Sequence, residues 1–165
     1  DESWVLTHRV DERHVPERAL VESSPPGGGA PVAHRFRYAS ARDALPTVTL
    51  VAFHLPTGRR VDLSPEELAL FPALVSRWVW FVDNSRICHL KSDRYQRVLR
   101  LVLIDLTTGV ERLLFEEKTD SGYLEPHPVL GAPPNIRYLP DTDEVLWWSE
   151  RDGWGHLYLA DAASG

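Results

Sequence analysis

Acidic pairs, histidines and a single thiol are the side chains of this sequence best suited to bind or to react. Glu66-Glu67 and Glu116-Glu117 are its two adjacent glutamate pairs. The first follows Ser64 and Pro65. Ser can cap a helix, Pro fits the first helical position, and Glu67 stands three residues after the cap. Both carboxylates then suit the positive end of a short helix near 64–71, which Pro72 ends. The second pair follows the expected strand Val110 to Phe115 and reads as its end on a solvated turn. Seven histidines are scattered, none in a His-Glu-x-x-His spacing, so no metal site is expected. His156 lies in an aromatic hairpin, where its ring reads as a partner for a turn carbonyl rather than a metal ligand. Cys88, the one cysteine, sits inside an apolar run and reads as a buried, inert thiol. No Gly-x-Ser-x-Gly elbow occurs. A catalytic residue, a cofactor and a metal are therefore all absent from the expectation.

Two further groups have binding chemistry. Trp78, Trp80, Trp147, Trp148 and Trp154 could form a platform for stacking sugars. Alternation puts Trp78 and Trp80 on one strand face but Trp147 and Trp148 on opposite faces, which favours packing between sheets. Ser121 to Pro134 is a long, proline-rich segment between strands, and its Tyr123 and Glu125 are the candidate substrate contacts facing a peptide. The plainer reading of that segment is a simple crossing between sheets.

The elements that would position these groups repeat. Ile87 to Gly109 reads as an apolar run, a charged turn, a second apolar run ending in Asp, then Thr-Thr-Gly. Val145 to Gly165 has the same order, and the lead-ins Asp83 to Ile87 and Asp141 to Val145 correspond. Asp1 to Thr7 has the spacing of Asp141 to Trp147 and reads as a third copy of this lead-in, with Arg18 to Glu22 as its returning strand. Gly58, Gly109 and Gly165 each end a strand after Thr or Ser, where a tight turn requires positive φ. His34 to Tyr38 alternates like a half-buried strand, and Ser23 to Pro31 reads as a linker or a long surface loop.

Four short antiparallel strands repeating every ~50 residues mark β-propeller blades. The expected fold is all-β: a single domain, 1–165, of about three blades bounded near 1–63, 64–120 and 121–165. A propeller closes its ring with four to eight blades, so this ring is open. A net charge of −6 over 165 residues, without a basic stripe, excludes nucleic acid as a partner. No apolar run approaches the ~20 residues of a membrane span and no signal peptide is visible, giving the expectation of a soluble cytoplasmic chain. The chain starts with Asp1 and contains no Met, as an excerpt or processed piece would.

Trp148 to Leu159 (WSERDGWGHLYL) resembles the blade motif of the dipeptidyl peptidase IV family, in the prolyl oligopeptidase clan of serine peptidases. Tyr38 to Asp43 with Pro46-Thr47-Val48, Arg94-Tyr95-Gln96 before Leu99 to Asp105, and Phe115 to Thr119 resemble segments of that family in the same order. The resemblance implies a propeller that gates peptides into a separate C-terminal α/β-hydrolase domain carrying a Ser-Asp-His triad. The parent would release N-terminal dipeptides, and this portion, lacking the triad, would be inactive alone. The family's amine-binding glutamate pair would precede residue 1, so neither glutamate pair here is expected to fill that role. The implied partners are the hydrolase domain and a peptide substrate, with homo-oligomer formation left open. The alternatives are a non-enzymatic scaffold binding protein or carbohydrate, and the propeller of an acylaminoacyl-type peptidase.

Overall fold

A computed structural model describes residues 3–63, 65–67, 78–127 and 132–162. Thirteen strands run in chain order among them: β1 (Trp4–Asp11), β2 (Glu17–Glu22), β3 (Val32–Arg37), β4 (Thr47–His54), β5 (Arg59–Asp62), β6 (Glu66–Glu67), β7 (Val79–Phe81), β8 (Arg86–Ser92), β9 (Val98–Asp105), β10 (Glu111–Lys118), β11 (Arg137–Leu139), β12 (Glu144–Ser149) and β13 (His156–Asp161). They form four sheets: β1-β4-β5 with β6 also on β4, the meander β10-β9-β8-β7, β11-β12-β13, and the pair β2-β3. All pairings are antiparallel. The fold is all-β, several antiparallel sheets consistent with part of a propeller.

The repeated hairpins are β8–β9 and β12–β13, as the sequence predicts. Strand alternation sorts the middle sheet's side chains into two cores. Ile87, Val102 and Ile104 pack with Val48, Leu50 and Ala52 of the first sheet. Cys88, Leu90, Leu99 and Leu101 face the other way and pack with Val145 and Trp147 of the third. The middle sheet is thus buried on both faces, which explains its nearly unbroken apolar runs.

Strand ends are fixed by short polar devices. Gly58 and Gly109 have φ of 68° and 76° and donate back to the carbonyls of His54 and Asp105. Asp83 and Asp105 close their turns by accepting backbone N–H groups two and three residues on.

Three expectations change. Glu66 and Glu67 do not open a helix: they form β6, paired with Val48 and Thr47 of β4. The cap signal is local, and pairing with an available strand edge overrides it. Ser64 and the rest of the expected helix lie outside the described residues. The first sheet also departs from a simple hairpin, because β1 pairs with β4 rather than with β2. Among the described residues, strands β2 and β3 pair only with each other, joined through the glycine-rich segment, as an arm. Every residue of β3 is exposed, not half-buried, because no second sheet among the described residues covers the arm.

Candidate functional site

The β12–β13 turn and the segment after β10 enclose a cleft of about 460 Å³, lined by Glu117, Tyr123, Glu125, Trp148, Ser149 and Arg151 among others. Both residues singled out in the proline-rich segment, Tyr123 and Glu125, therefore stand in one wall. Tyr123 is 63% exposed. Residues 128–131 of that segment lie outside the described residues.

Glu117 holds the floor of the cleft. Its Oε1 accepts from Ser149 Oγ at 2.5 Å, and Oε2 accepts from Trp147 Nε1 and from Arg151 Nη2 at 3.4 Å. Arg151 also donates from Nε to Ser149 Oγ at 3.0 Å, and its guanidinium lies 4.3 Å over the Tyr158 ring. Tyr158 Oη in turn donates to Asp152 Oδ2 at 2.5 Å. One carboxylate thus joins β10 to β12 across two sheets and orients the cation that faces the cleft. The expected solvated strand end is corrected here: the Glu117 side chain is only 10% exposed. A register shift between Leu113 and Phe115 changes the alternation of β10 and turns Phe115 and Glu117 inward together. The neighbouring Glu116 stays outward, paired with Arg100 and Lys118.

Trp148 covers the side of the cleft. Its ring lies so close to Gly155 that a Cβ there would stand 2.1 Å from Trp148 Cζ2. The glycine of the Gly-Trp-Gly turn is thus a steric requirement of the indole. Trp78 and Trp147 are core residues and Trp154 is 77% exposed, so the tryptophans form no shared stacking platform.

Lys118 and Glu150 also line the cleft, whereas Cys88, His89, Glu66 and His156 do not. Cys88 is buried, and loss of solvation pushes its thiol up to about 12, which leaves it unreactive. His89 is buried between sheets, and burial, with Lys91 beside it, lowers its pKa to about 3. Its Nδ1 lies 3.4 Å from Glu66 Oε1, and Lys91 spans Glu66 at 3.7 Å and Glu111 at 2.9 Å. Burial raises the Glu66 pKa. His156 is exposed and meets Tyr158 edge-on, ring centroids 6.5 Å apart. Among the described residues no group of three or more His, Cys, Asp or Glu is arranged to hold a metal.

The family model for the dipeptidyl peptidase IV N-terminal region matches residues 1–165. The chain belongs to that family. Among solved structures it resembles a protein assigned as a dipeptidyl aminopeptidase IV from Bacteroides ovatus, with 23% identity, a TM-score of 0.72, and coverage of 98% of this chain and 22% of that one. It also resembles dipeptidyl peptidase 4 of Porphyromonas gingivalis, at 18% identity and TM-score 0.70, over 96% of this chain and 21% of that one. The chain thus spans about a fifth of these structures' length, and at such identities the likeness is one of fold. The family's blade motif, read at Trp148 to Leu159, supplies the β12–β13 wall of the cleft. Tyr123 and Glu125, singled out in the sequence, line this cleft, whereas Glu117 was read there only as part of a solvated pair and Arg151 was not singled out. The signal for Arg151 was present, because a charged turn flanked by aromatic strands places a cation beside ring faces.

Proposed function

We propose that this chain is part of the propeller of a serine-type dipeptidyl peptidase, where it gates and positions peptides for a separate α/β-hydrolase domain. The observation that carries the reading is the family match along the whole chain. The cleft gives it a place to act. Tyr123 supplies an aromatic face, Glu125 a carboxylate for a peptide's amino groups, and Arg151 a cation for its carbonyl oxygens. These are recognition groups, while nucleophile, base and oxyanion hole would come from the hydrolase domain. The propeller's contribution would be binding energy and orientation, which convert an encounter into a positioned substrate.

The test is release of a chromogen from Gly-Pro-chromogen by the full-length protein and by residues 1–165 side by side. Activity confined to the full-length protein is the expected result. Activity in neither would transfer the reading to a binding scaffold, and activity in the short chain would refute the division of labour.

A further inference from the structure

Between β8 and β9 the chain turns through Asp93 to Arg97, and the Asp93 carboxylate organises that turn. Oδ1 accepts from the backbone N–H of Arg97 at 2.6 Å and of Val98 at 2.8 Å, and Oδ2 from that of Tyr95 at 3.3 Å. The Asp93 carbonyl accepts from Gln96 N at 3.0 Å. Within this closed turn Gln96 takes φ of 54°, a left-handed conformation uncommon for a residue with a side chain. Asp83 and Asp105 close turns in a similar way at the opposite ends of these strands. What distinguishes the Asp93 turn is what leans on it.

Two of its carbonyls point outward to the cleft wall. Gln96 O accepts from Leu124 N at 2.6 Å, and Arg97 O accepts from Thr119 N at 3.0 Å. These two bonds bracket a stretch of which Thr119, Ser121, Tyr123 and Leu124 line the cleft. On its other side the turn grips the root of the arm. The Arg94 guanidinium donates to the carbonyls of Asp43 at 2.6 Å, Ala41 at 2.8 Å and Ser40 at 3.2 Å. The Asp43 carboxylate meanwhile pairs with Arg18 of β2 at 2.5 Å.

We propose that Asp93 is a positioning residue for the cleft, holding the turn whose Gln96 and Arg97 carbonyls fix the 119–124 wall. Asp93 is not among the residues lining the cleft and acts through backbone geometry. Without its carboxylate, three backbone N–H groups lose their acceptor, and the turn itself keeps only the backbone bonds from Gln96 N to Asp93 O at 3.0 Å and from Asp93 N to Val98 O at 3.3 Å. The wall then loses the fixed direction of both bonds. The consequence for substrate rests on the reading of the cleft as a peptide site.

The test uses the full-length protein with three substitutions, Asp93→Ala, Asp93→Asn and Arg94→Ala. Hydrogen–deuterium exchange of the 119–124 segment reports the wall, and dipeptide-release kinetics report the substrate. Asp93→Ala should speed exchange of that segment about tenfold or more and raise KM with kcat held. Asp93→Asn, whose amide oxygen still accepts, should restore most of both. Arg94→Ala frees the arm root only and should leave both near the unsubstituted values. Unchanged exchange in Asp93→Ala, or equal loosening in Arg94→Ala, overturns the role of Asp93. Faster exchange with unchanged KM overturns the link to substrate, and with it the reading of the cleft as a peptide site.

Discussion

Glu117 shows how much a single side chain contributes here. Its carboxylate collects an indole N–H, a hydroxyl and a guanidinium, two of them from residues with almost no solvent access. Truncation would leave Trp147 Nε1 and Ser149 Oγ buried without that acceptor. Glu117→Ala should therefore destabilise the domain by about 2–3 kcal/mol, and Glu117→Gln by less, because one amide oxygen still accepts. Denaturant unfolding of the two variants measures both. His89 gives a second expectation, in pH. The unfolded histidine takes a proton near 6.5, whereas burial prevents the folded one from doing so until about 3. Its contribution to stability is complete above pH 6.5 and is lost as pH falls toward 3, since the unfolded chain then binds the extra proton. Glu66 runs the other way: with a raised folded pKa, its contribution is present at low pH and lost as pH rises through that value. The acid-side fall in melting temperature should flatten in His89→Gln, and an unchanged slope would remove His89 as the cause.

The arm is the element that least resembles the rest. It occupies the position in the first sheet that the Asp93 turn and the β12–β13 turn occupy in the next two, between the paired strands β1 and β4. Its root is well held: Arg37 Nη1 donates to the carbonyls of Arg13 and Val15 at 3.0 and 2.6 Å, and Val15 is fully buried. Its outer half is held by pairing of β2 with β3 alone, and Gly27, Gly28 and Gly29 at its tip all have positive φ. Deleting 24–30 and closing the arm with a two-residue Asn-Gly turn should change stability by no more than about 0.5 kcal/mol. A larger loss in thermal melting would mean that the tip is packed. The same elements show what was legible beforehand. The β8–β9 and β12–β13 hairpins were legible because apolar runs, turn residues and a closing Thr-Gly or Ser-Gly recur together in one stretch of chain. The pairing of β1 with β4 was not, because the arm separates the partners and β2 offers a nearer strand. Glu66 and Glu67 carried a good helix start, yet the free edge of β4 took them. In β10 the register shift between Leu113 and Phe115 leaves no mark in the letters, so the inward turn of Glu117 was hidden, while Tyr123 and Glu125, which line the cleft, stood out because long proline-rich segments between strands often carry binding residues.

At the scale of the whole molecule, three sheets stack through two cores, with the middle sheet buried on both faces. The cleft lies where the middle and third sheets meet, at the end of the strands that also bears the Asp93 turn and the arm root. Peptide recognition here would depend on surfaces fixed by sheet packing rather than on a catalytic group. No helix among the described residues is long and apolar enough to cross a membrane. The likeness in fold to the Bacteroides and Porphyromonas structures covers about a fifth of each, which leaves room in such a protein for the domain that would carry the chemistry. The central claim is that this cleft positions the peptide, and its most direct test is steady-state dipeptide release by the full-length protein carrying Tyr123→Ala with Glu125→Ala. Both side chains stand in the cleft wall and neither lies in the two cores, so the fold should survive the change. KM should rise about tenfold or more with kcat nearly unchanged, the sign of lost uniform binding. A KM equal to that of the unsubstituted protein would contradict the claim.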